Sequence, residues 1–475
     1  MADGRGWLAS VVMQIRDTLT GTTMPFVPAK AGQVTMYVCG PTVQSEPHLG
    51  HGRSAVSFDV LRRYFEWSGM EVLFVRNVTD IEDKIIARAA ELGTPTEVVA
   101  QRVFEEFSRA YDLLGNLPPT VEPKATEHIP EMISLIEELI EGDHAYESDG
   151  DVYFSVRSFD GYGKLSHHDL DDLLPSEGAE FDGRKRDPLD FALWKAAKPG
   201  EPQWESPWGL GRPGWHIECS AMATKYLGDS FDIHAGGTDL IFPHHENEIA
   251  QSEAASGKPF ARYWMHNGML NLGGEKMAKS TGHVVTLLES LERWDPTAVR
   301  LFYLRTHYRK PLDFSEEALA DAESSLARLR AFRRRFSDFI EELPDPDAMS
   351  RFVATMDNDL DTAGALAVVF DLVREGNSRY DRGMPAGELV AAFDEIVGVL
   401  GLERTVADGG DDEEAVAHLG SQFGIPDATI DDLVALRDTA RGDRDWTVSD
   451  AIRDGLAVLK ITIEDTPDGA RWHRG

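Results

Sequence analysis

The sequence predicts an α/β protein: a parallel sheet interrupted by an insertion, followed by a helical bundle and a small mixed module at the C-terminus. Three observations predict it. Residues 34–39 (Val-Thr-Met-Tyr-Val-Cys) alternate apolar and β-forming side chains, residues 53–67 space Val56, Val60, Leu61 and Tyr64 as a helix does, and residues 71–75 return as a strand. That is a strand–helix–strand unit, which joins parallel strands. The pattern lapses after Leu113 and resumes near Trp204, as an insertion would make it do. From Asp295 strands vanish and helical periodicity runs to about Leu402.

Met13-Gln14-Ile15-Arg16 reads as the opening of the first strand. A helical run follows Asn77-Val78-Thr79-Asp80, and residues 98–113 form another helix. Within the insertion, residues 129–140 are helical, 151–156 form a strand, and the rest is turns rich in Asp and Gly. Residues 408–414, all Gly, Asp and Glu, read as a linker, and residues 421–475 as a short helix-and-strand module. The expected domains are 1–114 and 201–290 as the two halves of the sheet domain, with 115–200 as the insertion. The helical region 291–405 and the C-terminal 406–475 complete the division.

Composition narrows the class. No run of about 18 apolar residues is present, so no membrane span is expected. The first 19 residues lack a basic stretch followed by an apolar core, which argues against a secretory signal. Two cysteines in 475 residues exclude a disulfide scaffold and suit a reducing compartment, so a cytoplasmic location is expected. The formal net charge is -35, and only 13 of the 47 basic residues are lysine. Such a chain repels nucleic acid at long range unless salt screens it, the Debye length falling to about 3 Å at 1 M. A high-salt cytoplasm is therefore expected, with local basic patches still free to meet an RNA.

The two cysteines each fall in a segment dense with reactive side chains. Cys39 precedes His48-Leu49-Gly50-His51, and Cys219 closes Gly214-Trp215-His216-Ile217-Glu218-Cys219, ahead of His244-His245-Glu246-Asn247-Glu248. Cysteines, histidine and a carboxylate form a zinc-type ligand set, while two small buried hydrophobes remain the plainer reading of Cys39 and Cys219. The His48–His51 tetrad lies where a strand hands over to a helix, a seat for phosphate, with Gly50 allowing close approach. Lys276-Met277-Ala278-Lys279-Ser280 lies in a Gly-flanked loop, and two of only 13 lysines there suit a triphosphate better than a solvated face.

Together these motifs resemble the two signatures of class I aminoacyl-tRNA synthetases. From about Met13 onward the chain resembles the cysteinyl-tRNA synthetase family in five segments: 37–42 (Tyr-Val-Cys-Gly-Pro-Thr), 77–84 (Asn-Val-Thr-Asp-Ile-Glu-Asp-Lys), 212–220, 242–248, and 445–454 with 464–469. His51 stands where this family often has Asn, and Ala278 where the lysine loop has Ser. The first twelve residues precede the resemblance, and a chain beginning at Met13 is expected to fold and act alike.

The resemblance implies a Rossmann-type class I catalytic domain, a helical bundle and a C-terminal anticodon module. It implies ATP-dependent activation of L-cysteine and transfer to tRNA(Cys), with one zinc per subunit held by Cys39, Cys219, His244 and Glu248, and with Mg2+ accompanying ATP. The spacing of His244 and Glu248, four apart, agrees, since it puts both on one helix face; His245 and Glu246 are then supporting groups. His48, His51, Lys276 and Lys279 carry the chemistry, and His48, Gly50, His51, His234 and Lys279 bind ATP, with His234 on the adenosine side. Thr79 and Trp215 line the amino-acid pocket, with core packing as the other reading of Trp215. Trp446, Asp450 and Arg453 meet the anticodon, unless Trp446 anchors a small core. A monomer with no membrane association is expected. The rival reading is the cysteine ligase of mycothiol biosynthesis, which shares the catalytic half and needs no anticodon module.

Overall fold

The chain enters through an antiparallel hairpin, β1 (Gln14–Asp17) and β2 (Thr22–Pro25), and passes into the first strand of the central sheet, β3 (Gln33–Val38). The computed structural model describes residues 12–170, 183–272, 275–276, 286–337 and 342–403, and most of 416–474. Helix α1 (Leu49–Trp67) carries the chain from β3 to β4 (Glu71–Arg76), which pairs in parallel with it. Three helices follow: α2 (Asp83–Leu92), α3 (Thr96–Leu113) and α4 (Ile129–Glu141). The insertion then builds an antiparallel sheet from β5 (Ala145–Ser148), β6 (Asp151–Phe154), β7 (Phe191–Ala196) and β8 (Gly211–Pro213). Helix α5 (Trp215–Leu227), β9 (Phe231–Gly237), α6 (Glu246–Ser256) and β10 (Ala261–Asn267) complete the parallel sheet, in the order β10-β9-β3-β4.

A sheet covered on both faces should be apolar on both, and this one is. Val34, Met36 and Val38 of β3 point into a core shared with the helical region, while Tyr37 and Val75 point into a second core shared with the insertion. Beyond β10 come β11 (Leu270–Leu272), β12 (Glu275–Lys276), α7 (Leu287–Arg293), α8 (Pro296–Leu304), β13 (Leu312–Phe314) and the helices α9 (Glu316–Arg335), α10 (Pro346–Met356), α11 (Thr362–Asp381) and α12 (Gly387–Leu400).

Three expectations need correcting. Helix α1 starts at Leu49, four residues before the expected start at 53. The insertion's sheet runs on to Pro213 rather than ending at 200, because β8 pairs with β7 through Trp194, Lys195 and Ala196. Strands do not vanish after Asp295: β13 pairs in parallel with β11, matching Leu270 to Leu312.

The chain divides into two units, to Leu402 and from Glu403. In the second, helices Ile430–Gly442 and Trp446–Val458 and the hairpin Ile461–Thr466 with Gly469–Arg474 share an apolar cluster of their own, including Leu433, Ile452, Leu456 and Ile461. The expected linker 408–414 and residues 1–11 lie outside the described residues. Among the described residues no helix is long and apolar enough to cross a membrane.

Candidate active site and metal centre

In an open α/β sheet the functional crevice lies beyond the carboxyl ends of the strands, where neighbouring strands are reached by connections running opposite ways. Here that place is between β3 and β9: α1 leads from β3 outward to β4, and β9 flanks β3 on the other side. Cys39 is the first residue past β3, with its amide donating to the Ala235 carbonyl at 3.0 Å. The next amide, Gly40, donates to Asn77 Oδ1 at 2.8 Å. A Cβ at Gly40 would fall 1.6 Å from the Asn77 carbonyl oxygen, so only glycine permits this approach.

Cys219 lies on α5, four residues after Trp215; His244 lies in a short π-helical turn (Ile241–His245), and Glu248 sits in the first turn of α6. These elements bring four donors together. Cys39 Sγ is 3.7 Å from Cys219 Sγ and 3.4 Å from Glu248 Oε1, and His244 Nε2 is 3.1 Å from the same oxygen. All four donor atoms lie within 4.8 Å of one another. Tetrahedral zinc with bonds of 2.0–2.3 Å separates its ligands by about 3.3–3.8 Å, so the donor set fits that ion.

The electrostatics agree with the geometry. Burial pushes the Cys39 thiol well above its usual range, with Cys219 and Glu248 adding to the effect, and burial likewise raises Cys219 and Glu218. Without a cation the two thiols stay protonated; a divalent ion among the four donors reverses that preference. Burial also lowers His244 to about 3, keeping its imidazole neutral as a metal ligand must be.

A second layer of histidines surrounds the four donors. His234 Nε2 is 2.8 Å from Glu248 Oε2, and His216 Nδ1 is 3.0 Å from His244 Nδ1. His245 Nε2 is 3.3 Å from Cys39 Sγ, while its Nδ1 is 2.8 Å from His266 Nε2, which continues to Thr18 Oγ1 at 2.8 Å. Cys39, His234, His245 and Glu248 form a second set of donors within 4.8 Å. His234 is fully buried, stacks on Trp264 at 4.4 Å, and is not among the residues lining the cleft. His216 and His266 carried no expectation. His216 could have been read from its place between Trp215 and Cys219, whereas nothing local marks His266. Glu246 is buried and accepts the amides of Gly163, Leu165 and Ser166 at 2.9, 3.1 and 2.8 Å, tying the insertion to α6.

The donors open into a cleft of about 410 Å³. Cys39, Cys219 and His244 reach it together with Thr79 and Trp215, and Trp215 stacks on the His244 ring at 4.3 Å. His48, Gly50 and His51 line the same cleft at the N-terminus of α1. The His48 amide donates to His51 Nδ1 at 3.1 Å, and the two rings stack at 3.7 Å. Lys276 lies on β12, its backbone paired with Asn271, while Lys279 lies outside the described residues. In the second unit Trp446 is 56% exposed and Val448 packs on the core instead, so Trp446 is not the anchor of that core. Asp450 and Arg453 are exposed on the same helix and ion-paired at 2.9 Å.

Residues 25–324 match the family described as the tRNA synthetases class I (C) catalytic domain, and residues 351–403 match the DALR domain. A cysteine–tRNA ligase of Streptomyces griseus is 48% identical over 98% of this chain and 100% of its own length. One from Alkalilimnicola ehrlichii is 50% identical with the same two coverages. Among solved structures, a Mycobacterium tuberculosis methionyl-tRNA synthetase in complex with methionyl-adenylate shares the fold with a TM-score of 0.57 at 16% identity, covering 78% of this chain and 89% of its own. Neither the high-salt cytoplasm nor the mycothiol-ligase reading finds support in these matches.

Proposed function

The chain belongs to the cysteine–tRNA ligase family of class I aminoacyl-tRNA synthetases, and from that premise we propose how its cleft activates L-cysteine with ATP and passes it to tRNA(Cys). One observation carries the proposal: Cys39, Cys219, His244 and Glu248 converge at zinc-like spacing, and the first three reach the cleft that His48 and His51 also line. Zinc held by those four would favour the substrate's thiolate, taking it as a further ligand by expanding its coordination. Thr79 and Trp215 flank that thiolate and orient the amino acid. Serine, of similar shape, lacks the thiolate, and loss of so specific a contact supports rejection of about 10⁴–10⁵-fold without an editing domain.

In the first step the cysteine carboxylate oxygen attacks the α-phosphorus of ATP and pyrophosphate leaves with the bonding electrons. His48, His51, Lys276 and Lys279 meet the charge that builds on the phosphates, which Mg2+ accompanies. Gly50, between the histidines, lets the nucleotide approach the helix start. In the second step a terminal ribose hydroxyl of the tRNA attacks the cysteinyl carbonyl carbon. The acyl–phosphate bond breaks, AMP departs with its electrons, and the hydroxyl proton leaves with AMP or to solvent. His234, bonded to Glu248, orients a metal ligand rather than touching adenosine. Trp446, Asp450 and Arg453 meet the anticodon. Every group named comes from one chain, so a monomer suffices, working in the cytoplasm beside its ATP and tRNA.

The test is an ATP–pyrophosphate exchange assay with cysteine and serine, followed by transfer to tRNA(Cys) or to an amino-sugar acceptor. Exchange with cysteine alone and transfer to tRNA alone are expected. Transfer to the amino sugar in place of tRNA would overturn the assignment.

A further inference from the structure

Three of the four donors at the metal centre are each backed by a histidine. His245 Nε2 lies 3.3 Å from Cys39 Sγ, His234 Nε2 2.8 Å from Glu248 Oε2, and His216 Nδ1 3.0 Å from His244 Nδ1. Cys219 is the exception: among the described residues its sulfur meets Cys39 Sγ at 3.7 Å and no histidine.

Tyr37 stands behind Cys219 instead. It lies on β3 two residues before Cys39, so the alternation of the strand turns both toward the face that α5 covers with Cys219. Its register partner on β9 is His234, and the two rings are 5.3 Å apart. The Tyr37 side chain is fully buried, and its hydroxyl has no hydrogen-bond partner of good geometry among the described residues. It is close enough to Cys219 for a weak side-chain hydrogen bond, whereas Cys39 and Glu248 act on it by charge alone.

A buried hydroxyl without a proper acceptor costs stability, so its presence calls for one. A neutral thiol is a poor acceptor, but a thiolate takes a charge-assisted bond. Cys219 is a thiolate once a zinc ion binds it. Resting on the reading of the four donors as a zinc site, we propose that the Tyr37 hydroxyl donates to the zinc-bound Cys219 thiolate and so holds that sulfur on the ion. The bond also draws charge from the sulfur, leaving the ion a stronger acceptor for the thiolate of the substrate. Tyr37 is not among the residues lining the cleft. It acts through Cys219, as a positioning residue.

The full chain carrying Tyr37→Phe tests this, since only the hydroxyl is removed. Competition with a chelator should show zinc held about 10- to 100-fold more weakly, the usual loss when a group behind a metal ligand is removed. With cobalt(II) in place of zinc, the thiolate-to-metal charge-transfer band should move to longer wavelength, because a sulfur lone pair that loses a hydrogen bond lies higher in energy. The visible bands of tetrahedral cobalt should keep their pattern, with the four donors still in place. Stripped of metal, the variant should melt at or above the temperature of the stripped unaltered chain, because the hydroxyl has no good acceptor to lose there. Loaded with zinc, it should melt below its counterpart. Zinc affinity and charge-transfer band both unchanged would overturn the proposal. So would a stripped variant that melts lower, which would make the hydroxyl a structural group. If the unaltered chain binds neither zinc nor cobalt, it is the reading of the four donors that fails, and the two failures are thereby told apart.

Discussion

His234 bears on how the four donors could hold a metal ion, because one imidazole cannot both face adenosine and back a carboxylate ligand. Read from sequence beside a Gly-rich turn, it faces adenosine; folded, it is buried behind Glu248 with Nε2 2.8 Å from Oε2 and is not among the residues lining the cleft. A carboxylate ligand held from behind by a histidine keeps its other oxygen aimed at the ion, and removing such support costs about 10–100-fold in metal affinity. His234→Ala should therefore lose zinc at chelator concentrations the unaltered chain withstands, while the KM for ATP stays where it was. A variant that keeps its zinc and binds ATP more weakly would restore the adenosine role. The set Cys39, Cys219, His244 and Glu248 comes from the family resemblance; the residues alone leave two buried hydrophobes as the other reading of the cysteines, and only the four-residue spacing of His244 and Glu248 agrees. The contacts of the supporting histidines are not legible. What His234, His245 and His266 touch is fixed by how β9, β10 and α6 meet, and no local spacing encodes that.

Helix α1 shows the same limit one level up. Its apolar positions Val56, Val60, Leu61 and Tyr64 announced a helix, yet Gly50 and Gly52 hid the first turn, since glycine weakens a helix and reads as its boundary. Gly52 is there for packing: a Cβ would lie 2.8 Å from the Tyr303 hydroxyl and 3.1 Å from Leu287. The short strands β8 and β13, three residues each, were missed because so few residues carry no period. What holds α1 against the later helices is also non-local. Asp59 of α1 is buried and meets the equally buried Arg300 of α8, which also donates to the Leu400 carbonyl at 2.8 Å. Burial alone would raise the Asp59 carboxyl, but Arg300 and Arg63 outweigh it and hold the group below its ordinary range. A carboxyl depressed in the native state stabilises the fold above its unfolded pKa, near 4, and loses that contribution as pH falls through the native value. Asp59→Ala should cost about 3–5 kcal/mol, because it strands a buried guanidinium. Urea unfolding at pH 7 measures the loss, and the gap between variant and unaltered chain should narrow below pH 4. A loss under 1 kcal/mol, or a gap that widens in acid, would show that Arg300 is satisfied by its carbonyls alone.

At the scale of the whole molecule, the chain joins two units with separate apolar cores, and the break after Leu402 cuts neither. All the groups placed in the cleft precede that break, and Trp446, the most exposed tryptophan of the second unit at 56%, follows it. A chain ending at Leu402 should therefore melt within a few degrees of the catalytic transition of the full chain and keep cysteine-dependent ATP–pyrophosphate exchange. Charging of tRNA should fall. One stacked base contributes about 1–3 kcal/mol, so the kcat/KM for tRNA should drop roughly 5- to 150-fold from that contact alone. The net charge of -35 sharpens the comparison. At 1 M salt the Debye length is about 3 Å, so long-range repulsion and attraction both fade while stacking persists. The difference in charging between full and shortened chains should thus survive high salt, where a difference due to phosphate attraction would shrink along the steep salt slope of such contacts. A shortened chain that charges tRNA at the full rate would move recognition into the helices before Leu402, which include the segment matching the DALR domain. Loss of exchange on truncation would instead mean that the catalytic unit depends on residues beyond Leu402 for its fold.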